Sequence, residues 1–503
     1  MNSQSDMTPQ AQGLVKCAPE TDAPQIAAQN PEDRKRFGDR YRRLFPFVIA
    51  AAAGFIVLRC DHTAGIGHLI YLILLIALQI IVIFRYGPEG GLSRRTKLLM
   101  AALLLTGVQL CTTSSWPLIT VDVRLTEFLF LLIILSIYRL EPGSTGAQLK
   151  KFIRTLFYPL IRLIDVFTGL SFLIRQKNEA ENERAKQTAK SILLGLLILI
   201  CLLLVILPLL ANADLVFGSF LSKIQLPEIT FNEVWGHIIA FLTAFVVLTA
   251  WWIYLPLDKG KTAQPDKAGR PKPGPAAAVT YLAPISVIYT VFTIISVRYI
   301  LIGGALPDGI TYAEYVHQGF YQLLAVTIIN LILIAVTRSV FAESRSIRFF
   351  LCLLCVLTYG MIWNGTYRMI LYIRAYQLTF LRLAVCFFFL LLTVFITFLL
   401  ITLLRGNFPL LRASAAAAIT LYLLFAFMHP DAVIAKYNMQ AEKPDTDYMS
   451  SLSLDAVPVL AEDPDLLEEC YGQYISSEDG SQISILDYNF SEARAKKIIN
   501  KNR

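Results

Sequence analysis

Three arginines stand close together between two apolar segments of the chain. Arg368, Arg374 and Arg382 are interleaved with Tyr372 and Tyr376. On a helix, Arg368 and Arg382 would lie about 40° apart, so their guanidinium groups would share one face. Guanidinium groups bind phosphates and carboxylates through paired hydrogen bonds. The pattern therefore predicts either a site for an anionic ligand or a set of ion pairs with acidic side chains of the same chain.

A second polar group lies earlier in the chain. Glu314 and His317 are three residues apart, which places them on one face if the segment is helical. A carboxylate beside an imidazole can act as a general base or relay a proton. The alternative is an anchor that holds the end of a span at the membrane interface. Asp431, together with Glu314, is a candidate base if the arginines hold a phosphate substrate.

Several chemistries lack the residues that they need. The sequence contains no phosphate-binding loop, no nucleophile elbow of a serine hydrolase and no zinc-protease motif. Its five histidines are not spaced as metal ligands usually are, and no basic and aromatic pattern indicates nucleic-acid binding. We therefore predict no metal, no cofactor and no nucleic-acid partner.

The elements that must position these residues follow from composition. Hydrophobic residues make up 55% of the 503 residues and charged residues only 16%, against ~25% charged in soluble domains. The apolar residues come in blocks of roughly 16–26, long enough to cross a bilayer as helices. The sequence therefore predicts an all-α, polytopic transmembrane helix bundle and excludes a soluble enzyme. About eleven spans are expected, at 44–59, 66–84, 98–117, 122–139, 191–211, 234–256, 279–303, 318–337, 349–367, 380–404 and 409–428. Ten or twelve spans are alternatives, because the first is short and Asn364 and Gly365 are expected to break the ninth.

Basic residues are concentrated on one side of the predicted spans. Connections on one side carry most of the Lys and Arg residues, whereas those on the other side carry single ones. Short basic loops stay in the cytoplasm, so the N-terminus is predicted to be cytoplasmic and the C-terminus extracytoplasmic. The predicted segments are a disordered cytoplasmic tail (1–43), an N-terminal transmembrane half (44–257), a flexible basic cytoplasmic linker (258–278), a C-terminal transmembrane half (279–428) and an acidic extracytoplasmic tail (429–503).

Two of these segments have features of their own. The basic inner stretch 140–190 is amphipathic, and it either lies in the membrane interface or packs under the bundle. The acidic tail contains short apolar runs, and we expect helices at 452–460, 466–474 and 491–502. Folded together, they would form a small lid over the outer face, with acids available to the arginines.

Four polar and aromatic stretches in the second half of the chain form a specific pattern: 311–320, 368–382, 430–438 and 445–458. In this order they resemble a family of bacterial multi-pass membrane proteins, domain of unknown function 4153/4173. The resemblance covers the chain well from residue 279 onward. It implies a protein of the bacterial cytoplasmic membrane with no assigned reaction. The family tends to show Gly where Gln377 stands and Asn where His429 stands, so these two positions are poor candidates for an obligatory role.

Three functions are compatible with these features. The favoured hypothesis is a non-enzymatic scaffold or sensor of the cell envelope, with the arginine cluster clasped by acidic residues. The first alternative is a transporter or lipid translocator, although no internal repeat supports it. The second alternative is an envelope enzyme that handles a lipid-linked phosphate at the outer face, where the arginines would hold the phosphate. Membrane lipids are the expected partners, and an anionic lipid or a lipid-linked phosphate is the candidate ligand; protein partners stay unspecified.

Overall fold

The structure, a computed structural model, describes residues 31–60, 64–86, 92–137, 152–163, 166, 231–257, 274–302, 326–338, 340–406, 408–476 and 485–501. Within these ranges the chain is helical and forms no β-strand. The described bundle helices are α1 (Pro31–Phe55), α2 (Ile66–Tyr86), α3 (Arg94–Thr112), α4 (Trp116–Ile137), α5 (Phe231–Thr249), α6 (Pro275–Ile302), α7 (Val326–Arg338), α8 (Arg345–Tyr376), α9 (Phe380–Arg405) and α10 (Leu410–Phe427). Two π-helical turns, Ile56–Cys60 and Ala250–Tyr254, extend α1 and α5, and single helical turns lie at Tyr158–Ile161 and Leu255–Leu257.

Among the described residues, seven helices are long and apolar enough to cross a membrane: α1 with its π-helical turn, α2, α5 with its turn, α6, α8, α9 and α10. The all-helical class is therefore confirmed in the described residues, and these seven helices support a membrane protein. α3 and α4 overlap the third and fourth predicted spans but begin four and six residues earlier, and α4 carries Asp122, Arg124 and Glu127. α7 coincides with the described part of the eighth predicted span, whereas residues 318–325 and the span 191–211 lie outside the described residues. The number of about eleven spans stays a prediction.

Two segments that were predicted to lack structure are helical in part. α1 begins at Pro31, so residues 31–43 are not a disordered tail. α6 begins at Pro275, inside the predicted linker 258–278. Proline is well suited to the first position of a helix, because the amide hydrogen that it lacks would have no partner there and its φ is already helical. Both helices therefore start ahead of their apolar blocks.

The predicted break of the ninth span is wrong, since α8 runs without interruption through Asn364 and Gly365. A broken helix in lipid would leave backbone polar groups without partners, so the helical conformation persists there. Gly365 instead permits a close approach of α9: a Cβ at this position would lie 2.7 Å from Phe389 Cζ. With 32 residues, α8 is about 48 Å long. It is longer than a hydrocarbon core of about 30 Å and must project from it.

The bundle helices pack in two groups. Residues of α1 to α5 share one buried apolar core, and residues of α6 to α9 share another. α10 joins the two, because Leu410 belongs to the second core whereas Ile419 and Leu423 belong to the first. Lipid is as apolar as a leucine side chain, so close packing holds such helices together. Small residues permit this packing: a Cβ on Gly107 of α3 would lie 2.9 Å from Leu69 Cδ1 of α2.

The C-terminal part of the chain folds into short helices, here called the C-terminal cap (residues 430–476 and 485–501). It contains α11 (Pro430–Asn438), α12 (Thr446–Ser450), α13 (Val457–Leu460), α14 (Pro464–Ser476) and α15 (Phe490–Lys501), with 3-10 turns at Leu454–Ala456 and Ile485–Asp487. The helices expected near 452–460, 466–474 and 491–502 are confirmed. Ile434, Val457 and Ala495 are fully buried in the cap, and Leu378 of the α8–α9 turn belongs to the same core. The cap therefore lies against one end of the bundle.

Part of the predicted amphipathic segment is described at residues 152–163. One side of this stretch packs on the bundle, where the Trp251 indole donates a hydrogen bond to the Thr155 carbonyl (3.1 Å). The other side leaves Leu160 and Ile161 mostly exposed. An exposed apolar side next to a membrane bundle is typical of a helix at the lipid interface. In this stretch, packing under the bundle and contact with lipid are therefore compatible.

Candidate functional site

The α8–α9 turn collects the arginine and tyrosine residues that the sequence singled out. Arg368, Tyr372, Arg374 and Tyr376 lie in the last turns of α8, and Arg382 lies in the first turn of α9. The ring centroids of Tyr372 and Tyr376 are 5.1 Å apart. The Arg382 guanidinium lies 4.2 Å from the centroid of the Tyr372 ring. The structure thus brings Arg382 and the two tyrosines together.

Arg382 has structural partners close by in the chain. Its Nη1 donates hydrogen bonds to the carbonyls of Tyr376 and Gln377, at the end of α8. The last carbonyls of a helix have no intrahelical partner and carry the negative end of the helix dipole, so a guanidinium stabilises them. The contact with Tyr372 adds a cation–π interaction of ~0.5–1 kcal/mol. Arg382 therefore fastens the turn between α8 and α9.

Arg368 and Arg374 have different surroundings. Arg368 Nε donates a hydrogen bond to Asn364 Oδ1 at 3.1 Å, one helical turn earlier, whereas Arg374 is exposed. No described carboxylate lies within 4.0 Å, the limit of an ion pair, of Arg374 or Arg382. The expected clasp between these two arginines and acids is therefore wrong within the described part of the chain. At Arg382, backbone carbonyls and a tyrosine ring replace the acids.

The cap binds the α8–α9 turn through amide side chains. Asn438 donates a hydrogen bond to the Leu378 carbonyl and accepts one from the Leu378 amide, both at 2.9 Å. Gln377 donates to the Lys443 carbonyl (2.8 Å) and accepts from the Asp445 amide (3.2 Å). A side-chain amide has both a donor and an acceptor, so it can satisfy both backbone groups of one residue. These contacts join the turn to α11 and to the start of α12.

Asp455 connects separate parts of the chain at the same end of the bundle. Its carboxylate accepts hydrogen bonds from the Ser114 amide (2.8 Å), the Ser114 hydroxyl (2.7 Å), the Thr113 hydroxyl (2.6 Å) and the Ser491 hydroxyl. His429 Nδ1 lies 3.3 Å from Asp455 Oδ2. These partners belong to the α3–α4 loop, to the start of α15 and to the residue before α11. Only 1% of the Asp455 side chain is exposed, so the carboxylate relies on these partners rather than on water.

The surroundings of Asp455 keep its carboxyl ionised. Burial alone would raise its pKa, but the hydrogen bonds from His429, Ser491, Thr113 and Ser114 outweigh burial and lower the pKa to about 2. Each of these donors favours the charged form. Hydrogen bonds to a charged group contribute ~1.5–3 kcal/mol each. At neutral pH the buried carboxylate is therefore an electrostatic link between cap and bundle.

The segment before α15 ties the cap to two further places on the bundle. The Asn489 side chain donates a hydrogen bond to the Thr113 carbonyl (2.8 Å), and its amide nitrogen lies 3.4 Å from the Leu110 carbonyl. Both acceptors lie at the C-terminal end of α3, where carbonyls lack intrahelical partners. The Ile66 amide donates to the Tyr488 carbonyl at 3.2 Å. The cap thus contacts the start of α2, the α3–α4 loop and the α8–α9 turn.

Asp431, the candidate base, has a role in this arrangement. It lies in the first turn of α11 and is 5% exposed. Its carboxylate accepts a hydrogen bond from the Ser453 hydroxyl, next to the 3-10 turn that carries Asp455. Asp431 therefore helps to position Asp455. The other candidate base, Glu314, and its neighbour His317 lie outside the described residues, so the interpretation of that pair stays a prediction.

Two residues of this region have a positive φ, Gln377 with φ 62° and His429 with φ 49°. Gly and Asn adopt positive φ more readily than other residues. In this chain the side chains of Gln377 and His429 contact the cap instead. At these two positions, side-chain contacts with the cap offset the cost of a positive φ.

Sequence reasoning missed a buried polar pair within the bundle. The Tyr422 hydroxyl of α10 donates a hydrogen bond to Asp122 Oδ1 of α4 at 2.9 Å, and Asp122 is fully buried. One turn away along α10, the Ala426 carbonyl accepts a hydrogen bond from Gln109 of α3 at 2.9 Å. Asp122 lies within a predicted span, and this position could have identified it, because ionisable groups in a span need a partner. These two contacts fix α10 against α3 and α4.

Asp455 was also missed, although it lies in one of the stretches that carry the family resemblance. Nothing in its local sequence separates it from the neighbouring acids, because its hydrogen-bond partners in the α3–α4 loop are 341 and 342 positions away. In the part of the chain that the structure describes, no three His, Cys, Asp or Glu side chains are grouped as metal ligands would be. The side chains at this end instead bind one another and the ends of the helices.

A comparison with protein families extends the resemblance over most of this structure. The model described as Domain of unknown function (DUF4153) matches residues 99–462, from within α3 to the end of α13. The match begins well before residue 279, and it ends before α14 and α15. No match was found among curated proteins or among solved structures. Because the matched region is more than half of the 503 residues, the chain belongs to the family Domain of unknown function (DUF4153).

Proposed function

We propose that this membrane protein is a non-enzymatic scaffold or sensor of the cell envelope, whose C-terminal cap holds one end of the helix bundle in a defined arrangement. The observation that carries the proposal is the buried Asp455 carboxylate. It receives hydrogen bonds from Thr113 and Ser114 of the bundle and from Ser491 of the cap. This contact joins residues that are far apart in sequence, and it stabilises one relative position of cap and bundle.

The contact at Asp455 favours two states of the cap over a continuum of positions. In the docked state the carboxylate is buried with several donors. A partial separation would leave a buried charge with too few donors, which is strongly unfavourable. A full separation would return the carboxylate to water. A sensor requires a two-state element of this kind, whose equilibrium a signal can shift.

The polar groups at this end are engaged with one another, which supports a scaffold or sensor over an enzyme. Asp431 accepts a hydrogen bond from Ser453, and His429 faces Asp455. A general base must reach the proton of a substrate with a lone pair that is free to accept it. In the docked cap, Asp431 and Asp455 are each only 5% exposed, so a substrate has little access to either carboxylate.

The proposal places the protein in the bacterial cytoplasmic membrane, with a cytoplasmic N-terminus and an extracytoplasmic cap. Basic residues at the helix ends away from the cap support this orientation, since such ends usually stay in the cytoplasm. They are Arg94, Arg95 and Lys97 in α3, Arg345 and Arg348 in α8, Arg405 at the end of α9 and Arg412 in α10.

Hydrogen exchange of the purified full-length protein tests the proposal. Asp455→Asn should raise the exchange of the whole cap and also of the α3–α4 loop and the α8–α9 turn, because the cap organises both. Glu468→Gln removes an exposed acid of the same cap and is the matched control, with no change expected. Faster exchange that is confined to the peptide containing residue 455 would contradict the proposal.

A second candidate function is favoured by one observation, the exposed Arg374 without a described carboxylate partner. An anionic lipid or a lipid-linked phosphate would bind there through its phosphate oxygens. Such a site fits an envelope enzyme or a translocator at the same face. Native mass spectrometry of the wild type and of Arg374→Gln distinguishes the outcomes. A phosphate-bearing adduct that the variant loses would support the ligand site, and identical adducts in both proteins would refute it.

A further inference from the structure

The helix ends opposite the cap bring two arginines near each other. α3 and α10 lie side by side, and Gln109 of α3 binds the Ala426 carbonyl of α10 close to the cap. Arg95 and Arg412 precede that contact by the same number of residues in their two helices, about 21 Å along each axis. The two arginines are therefore at the same depth, in the first turns of neighbouring helices.

The positive charge at this place is not compensated by the described part of the chain. The charges of Arg95 and Arg412 are close enough to repel each other. Neither arginine has a described carboxylate within the 4.0 Å of an ion pair. The first turn of each helix adds the positive end of a helix dipole. An anion placed between the two side chains would relieve this repulsion.

An apolar groove lies along the part of α10 that contains Arg412. It runs between α9 and α10, has a volume of about 360 Å³ and is lined by Leu391, Leu392, Phe395, Leu411, Ser414 and Ala415. Leu411, one of these lining residues, directly precedes Arg412 in the chain. The Ser414 hydroxyl is buried and has no hydrogen-bond partner within the described residues. The groove therefore combines an apolar wall with one polar atom that has no partner among the described residues, and Arg412 lies in the same part of α10.

We propose that Arg95, Arg412 and this groove bind one anionic phospholipid. The headgroup phosphate lies between the two guanidinium groups, which suit phosphate oxygens by charge and geometry. One acyl chain occupies the groove between α9 and α10, and the Ser414 hydroxyl is available to an ester oxygen of the lipid. This site is separate from the cap and from Arg374, so it stands independently of both proposed functions.

Native mass spectrometry of the full-length protein in detergent, titrated with dioleoylphosphatidylglycerol, tests the proposal. The wild type should retain one lipid, and Arg95→Gln/Arg412→Gln should bind it about 30-fold more weakly, as expected for two basic side chains at a membrane surface. Arg94→Gln removes the neighbouring exposed charge and is the matched control, with less than a threefold effect expected. Equal affinity of the wild type and the double variant would overturn the proposal, and so would an equal loss in Arg94→Gln.

Two further comparisons leave the arginines unchanged. Ala415→Phe fills the groove without changing any charge, and it should weaken phosphatidylglycerol binding at least tenfold. An unchanged affinity would show that no acyl chain enters the groove and would refute the proposed site.

Dioleoylphosphatidylcholine has the same chains as the phosphatidylglycerol probe and no net charge. If the wild type retained it as tightly as phosphatidylglycerol, the arginine pair would have no role in recognition and the proposal would fail. This comparison needs no variant and so does not depend on how the variants fold.

Discussion

Replacing Asp455 by asparagine keeps the size of the side chain and removes its charge. The carboxylate is 1% exposed and accepts hydrogen bonds from the Thr113, Ser114 and Ser491 hydroxyls and from the Ser114 amide. Asparagine can still accept hydrogen bonds through its remaining oxygen. Its amide nitrogen, however, must stand where a carboxylate oxygen now faces donors. The variant therefore tests how much the charge itself contributes to docking of the cap.

The magnitude follows from the proton affinity of the site. The pKa of Asp455 is lowered from 3.8 to about 2, and each tenfold change in proton affinity corresponds to about 1.4 kcal/mol. The ionised form thus stabilises the docked cap by about 2 kcal/mol relative to the neutral acid. Asparagine imitates the neutral acid, so Asp455→Asn should lose about 2–3 kcal/mol at pH 7, since the misplaced amide adds to the loss.

Hydrogen exchange at pH 7 measures this loss directly. A change of about 2 kcal/mol corresponds to ~30-fold faster exchange of the protected amides of the cap. Thermal release of the cap, measured from pH 5 to pH 2, supplies a second test. Because the folded pKa lies below the unfolded one, the stabilisation is present above about pH 4 and is lost as the pH falls towards 2. The wild type should lose this stabilisation of about 2 kcal/mol. Asp455→Asn should not, because its residue 455 has no carboxylate to protonate.

Two results would refute this reasoning. One is an unchanged rate of exchange in Asp455→Asn at pH 7. The other is the same decrease of stability in the wild type and in Asp455→Asn between pH 5 and pH 2, because the decrease would then come from other carboxylates. Glu468→Gln should follow the wild type throughout, since Glu468 is exposed.

Three further substitutions give distinct expectations, each measured by thermal unfolding in detergent. Gly365→Leu should destabilise the protein by about 1–3 kcal/mol through overpacking against the buried Phe389 ring; an unchanged midpoint would show that the α8–α9 contact is loose. Asn438→Ala should cost about 2–3 kcal/mol, because it leaves the buried Leu378 amide and carbonyl without their partners; Asn438→Gln should not restore the geometry, and full recovery by it would argue against a specific contact. Gln377→Gly should be about 1 kcal/mol more stable than Gln377→Ala, because φ is 62° at this position; equal stability of the two variants would exclude backbone strain there.

The role of the arginine cluster depends on the neighbours that each arginine has in the folded chain. The types and spacing of Arg368, Arg374 and Arg382 are compatible with a phosphate site. In the folded chain, Arg382 binds carbonyls at the end of α8, and Arg368 binds Asn364. Arg374 alone of the three is exposed, and the ligand hypothesis for this face therefore depends on it.

The family match ends at residue 462, before the last two helices of the cap. Ser491 and Asn489, which bind Asp455 and the end of α3, thus lie beyond the matched region. Thr113, Ser114, His429 and Asp455 lie within it. The matched part therefore supplies most of the Asp455 contact, and the segment from residue 485 onward completes it.

The sequence by itself determined the membrane class and most helix positions. The predicted spans 380–404 and 409–428 agree closely with α9 (Phe380–Arg405) and α10 (Leu410–Phe427). The reason is local: in lipid an apolar stretch must satisfy its own backbone hydrogen bonds, and a helix does so within the segment. The same rule keeps Gly365 helical, which was the point at which a break was wrongly expected. Helix starts at Pro31 and Pro275 were missed because the first polar turns carry no apolar signal.

The tertiary structure alone decided which polar groups meet. Asp455 resembles the other acids of its segment until the α3–α4 loop and the start of α15 surround it. Asp122 becomes a contact between helices only because α10 places Tyr422 beside it. Such partners are separated by hundreds of positions, so no period or motif joins them in the sequence. A buried charge depends on nearly all of its neighbours at once, and those neighbours are fixed only when helices and cap pack together.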